Sequence, residues 1–115
     1  MTDLESVKKR FLREEPAKRL GHLAADLLRV ANFIETGSSN AAIPIIRESK
    51  FMAEWSAPDS DPEVQGLLSE MQSFLALKEV AWNRWIQNQS EVRQAASTLR
   101  YWSEEFLKHS GLLNP

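Results

Sequence analysis

"LGHLAADLLRVANFIETG", Leu20 to Gly37, decides the fold. Leu20, Leu23, Ala24, Leu27, Val30, Ala31 and Ile34 recur at steps of three and four. That spacing puts them on one face of an α-helix. His22 and Arg29 fall on the side away from Leu20, Leu27 and Ala31, so the helix has one broad apolar face, as packing in a bundle requires. Pro16 suits the first turn of this helix, and Gly37 is a natural stop.

The same grammar repeats on both sides. Upstream, "TDLE" reads as a capping box, with Thr2 as cap and Glu5 three residues on, opening a short helix from Asp3 to Arg13. Downstream, "SSN" is a loop and cap before a helix from Ala41 to Ser56, in which Pro44 is tolerated only near the start. "APDSDP" is a turn, with Asp61 as cap and Pro62 at the first helical position. A long helix then runs from Pro62 to Asn88. "QNQS" breaks it, and Ser90 caps a last helix that runs to Ser110 and ends at Gly111. No run alternates apolar and polar residues as a strand would. The expected fold is all-α: an up-down bundle of four main helices with an N-terminal helical arm, in one domain over 1–115, arm 1–15 and bundle 16–115.

Composition narrows the function classes. The chain has 115 residues, 43% hydrophobic and 26% charged, which is ordinary for one globular domain. A formal net charge of −2 implies no general affinity for nucleic acid or anionic membranes. Without cysteine there is no disulfide, thiolate nucleophile or Cys-bound metal. The N-terminus "MTDLESVKKRFLREE" lacks the apolar core of a signal peptide, and the longest charge-free run, between Glu35 and Arg47, is too short to span a bilayer. A cytoplasmic protein is expected. No phosphate loop, nucleophile elbow or HExxH pattern is present.

Two charges break the helical pattern. In "RESKFMAEW", Arg47 to Trp55, Glu48 falls among Ala41, Ile45, Met52 and Trp55. On the next helix Lys78 falls among Phe74, Leu75, Ala81 and Trp82. An isolated buried charge is costly, so Glu48 and Lys78 are expected to meet across the core as a buried ion pair. In the competing reading each side chain reaches water separately, with the lysine stem laid along apolar surface. His22 and Asp26, and Glu105 and His109, are i,i+4 neighbours. They read as surface helix pairs rather than metal ligands, so neither a metal nor a cofactor is expected.

The tryptophans, Trp55, Trp82, Trp85 and Trp102, all lie on or beside apolar arcs. Core packing is the first reading; a shared ligand pocket is the second. Phe33, Leu77, Val80 and Tyr101 lie off the arcs and form a candidate partner surface. The arm gathers Lys8, Lys9, Arg10, Arg13, Lys18 and Arg19, diluted by acids, beside a narrow stripe of Leu4, Val7 and Phe11. Docking on protein is preferred to nucleic acid, because no recognition motif accompanies the charges.

Three segments, "ESKFMAEWSAP", "WNRWI" and "WSEEFLKHSGLL", together resemble small cyanobacterial helical proteins without assigned function. The resemblance covers roughly the last three quarters of the chain, from near "RVANFIE". It implies a cytoplasmic protein of a photosynthetic bacterium and brings no activity or site residues. The functional expectation is therefore a small bundle working through protein contacts, as a homodimer, adaptor or assembly accessory. A module for a small apolar or pigment-like ligand in a Trp-lined pocket is the alternative, and an enzyme using Glu48 or Lys78 comes third.

Overall fold

A computed structural model describes residues 3–111. Six helices follow in order: α1 (Leu4–Leu12), α2 (Pro16–Glu35), α3 (Ser39–Ser56), α4 (Pro62–Val80), α5 (Trp82–Trp85) and α6 (Gln89–Ser110). A 3-10 turn, Ala57–Asp59, joins α3 to α4, and no strand occurs among the described residues.

Long-range contacts give the direction of each helix. Arg100 meets Asn32 while Ser103 meets Ala24, so α6 runs antiparallel to α2. Gln65 reaches Ala57, Gln72 reaches Lys50 and Glu79 reaches Arg47, so α4 runs antiparallel to α3. His109 approaches Glu63 while Trp102 packs on Phe74, which sets α6 against α4 in the same sense. Arg19 pairs with Asp59 and Asp26 faces Glu48, which makes α2 and α3 antiparallel too. The four long helices are an up-down-up-down bundle, as short connections favour. Its heaviest seam is α2 against α6, and its lightest is α4 against α6. The whole apolar face read from Leu20 to Ile34 is buried, and Phe106, Leu99, Met71, Leu75 and Ile46 complete the centre.

The arm docks on α3. Phe11 is buried there, with its ring centroid 5.9 Å from that of Trp55. Arg19 holds the junction. Its Nε donates to the Glu14 carbonyl (2.9 Å), Nη2 to the Leu12 carbonyl (2.9 Å) and Nη1 to Asp59 Oδ2 (2.6 Å). One buried guanidinium therefore satisfies a carbonyl left over at the end of α1 and ties the 3-10 turn to it.

The ends of the elements depart from expectation in instructive places. Thr2, the expected first cap, lies outside the described residues. Asp3 fills the role, its Oδ1 accepting from the Glu5 N–H at 3.2 Å. Helix α3 starts at Ser39, so Pro44 sits inside it. Pro44 cannot donate to the Asn40 carbonyl, and both residues are exposed, which leaves that carbonyl to water. The long helix expected to reach Asn88 stops at Val80. The Lys78 carbonyl, which the Trp82 N–H would take in a continuous helix, accepts instead from the Trp85 indole Nε1 at 2.8 Å. The chain turns at Ala81, and α5 is a single turn that folds Trp85 back into the core. Asn88 rather than Ser90 caps α6, its Oδ1 accepting from the Glu91 N–H at 3.1 Å. Gly37 (φ 83°) and Gly111 (φ 76°) take the left-handed conformation expected at helix ends.

Candidate functional site

The break after Val80 shapes the surface around it. With the helix stopped there, Leu77 and Val80 share a face that no other element covers. They are 71% and 87% exposed, the highest values among the exposed large apolar side chains of the described residues. Beside them lies a recess of about 580 Å³. Phe74 and Trp85 line it, with Lys78, Arg84 and Glu91 as its charges. The Lys78 ammonium sits 4.8 Å from the Trp85 ring centroid and 5.6 Å from that of Phe74. Its positive charge rests on the electron-rich ring faces while the side chain stays half-buried.

That placement corrects the expected Glu48–Lys78 pair, which does not form. Lys78 turns toward α5 and its aromatic rings, whereas Glu48 turns toward α1 and α2, beside His22, Glu14 and Met52. The pair that crosses from α3 to α4 uses the neighbouring positions. Arg47 Nε donates to Glu79 Oε2 at 2.7 Å and Lys50 Nζ to Oε1 at 2.5 Å. These two hydrogen bonds hold the Glu79 carboxyl below its ordinary pKa against a smaller opposing effect of burial. One residue along a helix is a turn of about 100°, which is enough to send each side chain to a different neighbour.

Around Glu48 the polar surroundings are unusual. Asp26, on α2, is only 8% exposed. Burial first, then the like charge of Glu48, push its carboxyl up to about 6, against the pull of Arg29 and His22. Arg29 Nη1 donates to it at a long 3.4 Å. His22 Nε2 lies 2.7 Å from Glu14 Oε2 across the α1–α2 junction, a charge pair when the imidazole is protonated. The reading of His22 and Asp26 as a surface pair is thus wrong for Asp26, although His22 is exposed. Its helical neighbours Leu23 and Val30, both in the apolar arc, were the signal in the sequence. Likewise His109 turns to Glu63 on α4 at 3.6 Å, while Glu105 takes Lys108. Among the described residues no three His, Asp or Glu side chains gather as metal ligands, and no helix is long and apolar enough to cross a membrane.

The four tryptophans do not share a pocket. Trp82 and Trp85 pack edge to face at 5.1 Å, and Trp102 packs on Phe74 at 5.0 Å. Trp55 lies elsewhere, between Phe11 and Phe51. There it helps line a groove of about 330 Å³ between α1 and α3, with Leu4, Val7, Pro44 and Glu48. The indole N–H of Trp85 is bonded, whereas that of the buried Trp102 has no hydrogen-bond partner. The expected partner surface also divides. Leu77 and Val80 stand together at the recess. Phe33 is half-buried against the core, and Tyr101, 52% exposed on α6, does not line the recess. Comparison of the chain with protein-family models, with curated protein sequences and with solved structures gave no match.

Proposed function

We propose that this protein acts by binding another protein through the Leu77–Val80 surface. The observation that carries the reading is the exposure of those two side chains beside an aromatic-floored recess. Apolar groups that project from an otherwise well-packed bundle cost solvation free energy that a partner would recover. Tryptophan and arginine, here Trp85 and Arg84, are among the side chains that contribute most at protein interfaces. The expected setting is the cytoplasm of a photosynthetic bacterium, on the strength of the sequence resemblance. Glu48 and Lys78, turned to different neighbours, supply no joint acid–base pair.

The test is a photo-activated cross-linking amino acid at position 80 in the native cell. Adducts with protein at position 80, and none from the same probe at exposed Glu104 on α6, are the expected outcome. No protein adduct at position 80 would sink the reading. A second reading is favoured by the α1–α3 groove, where Trp55 stacks at 5.8 Å on Phe51 above apolar walls. It is large enough for a small apolar molecule. Perturbation of the Trp55 indole resonance by cell-extract small molecules would support that reading, and silence there would remove it.

A further inference from the structure

We infer that the occupant of the Leu77–Val80 surface is a second copy of this chain, related by a two-fold axis. This rests on the reading of that surface as a protein-binding face, and it names the partner.

A two-fold contact sets one surface against itself, so the surface must complement itself. It needs projecting groups and the recess that receives them, and it needs both signs of charge. This surface has each of these. Leu77 and Val80 project, one helical turn apart, at the edge of the recess of about 580 Å³. Phe74 and Trp85 line that recess, and Trp85 is held firmly by burial and by the bond from its indole to the Lys78 carbonyl. The receiving face is therefore preorganised, and little ordering is required on association.

The charges point the same way. Lys78 and Arg84 stand on the recess with Glu91, yet none of the three makes an ion pair within its own chain. Unpaired charges also occur elsewhere on the surface, as at Glu70 and Arg93; here both signs stand around one apolar recess. A partner of a single sign would match only part of this surface. A rotated copy brings Glu91 of one chain to Arg84 and Lys78 of the other, twice over, while Leu77 and Val80 of each enter the opposite recess.

Symmetry doubles every effect. A rim ion pair worth a factor of about three in affinity becomes about tenfold when it occurs twice. Leu77→Asp places two carboxylates in apolar contacts and is expected to weaken the dimer more than about 100-fold. Leu77 and Arg84 face solvent and Glu91 is partly exposed in the single chain, so circular dichroism of variants at these positions should match that of the original protein. Sedimentation equilibrium over a wide concentration range reads the result. The expected outcome is a concentration-dependent dimer that Leu77→Asp abolishes. Arg84→Glu should weaken it about tenfold, and Arg84→Glu with Glu91→Arg should recover part of that loss, because Lys78 still opposes the new arginine. A dimer indifferent to Leu77→Asp, or a charge-swapped double variant as weak as Arg84→Glu, would overturn the inference. So would a strict monomer. If that monomer still cross-links to a different protein through position 80, this inference fails and the broader reading stands; if position 80 captures no protein, both fail.

Discussion

Asp26 should make this protein less stable at neutral pH than at mildly acidic pH, and Asp26→Asn should remove the effect. In the folded chain its carboxyl is raised from 3.8 to about 6. Each pKa unit corresponds to 1.36 kcal/mol, so burial and Glu48 together, net of Arg29 and His22, disfavour the ionised form by on the order of 3 kcal/mol at neutral pH, an upper figure for a side chain that can relax. A raised carboxylate pKa means that the folded state binds the proton more tightly than the unfolded state does. The contribution to stability is therefore fully present below about 4 and is lost as pH rises through about 6. Asn keeps the shape and still accepts from Arg29, but never ionises. Urea unfolding from pH 4 to 7.5 on both proteins is the assay, and the difference between them cancels the other titrating groups. Asp26→Asn should match the original protein near pH 4 and exceed it at pH 7.5 by about 1–3 kcal/mol. A flat difference across that range, or a variant less stable at pH 7.5, would refute the account of a desolvated carboxylate facing Glu48. Glu48→Gln should narrow the gap, because it removes the second cause of the raised pKa.

Three other outcomes follow from single contacts. Arg19→Met removes three hydrogen bonds at the α1–α2 junction and leaves carbonyls there unbonded, so thermal unfolding should show a loss of about 2–4 kcal/mol. Trp85→Phe keeps the ring but loses the indole donor to the Lys78 carbonyl; chemical denaturation should report a cost of about 1–2 kcal/mol, and hydrogen exchange should quicken at the α4–α5 turn. Glu79→Gln weakens the link to Arg47 and Lys50. Because the Glu79 pKa is lowered, its contribution is present above the ordinary carboxylate value and fades as pH falls. The variant should lose up to about 1 kcal/mol at pH 7, and the loss should shrink as pH falls below the ordinary carboxylate range, by urea titration.

Much of the fold was legible because it depends on local periodicity. The arc from Leu20 to Ile34, the turn at "APDSDP" with its Asp61 cap, and the glycines at 37 and 111 act through spacing and backbone conformation that neighbouring residues decide. Leu77 and Val80 were legible for the same reason: a helix with one apolar face cannot bury residues on its other face as well. Local pattern gave no warning of the break at Ala81. The apolar spacing runs on through Trp82 and Trp85, and where the helix stops the Lys78 carbonyl is held by the distant Trp85 indole rather than by the Trp82 N–H.

The amino-acid sequence by itself determined that the chain is all-α, how many long helices it has and, Asp26 and Phe33 apart, which face of each turns inward. Tertiary structure alone decided which polar groups meet. Glu48 and Lys78 were both rightly marked as charges on apolar faces, yet pairing depends on the rotation of one helix against another, and a turn of one residue separates Lys78 from Glu79. Arg47 and Lys50 therefore hold Glu79, Lys78 settles over Trp85, and Glu48 is left facing Asp26. Burial of a pattern is a property of one helix. Contact between two side chains is a property of two, and their relative rotation is set by the packing of the whole core.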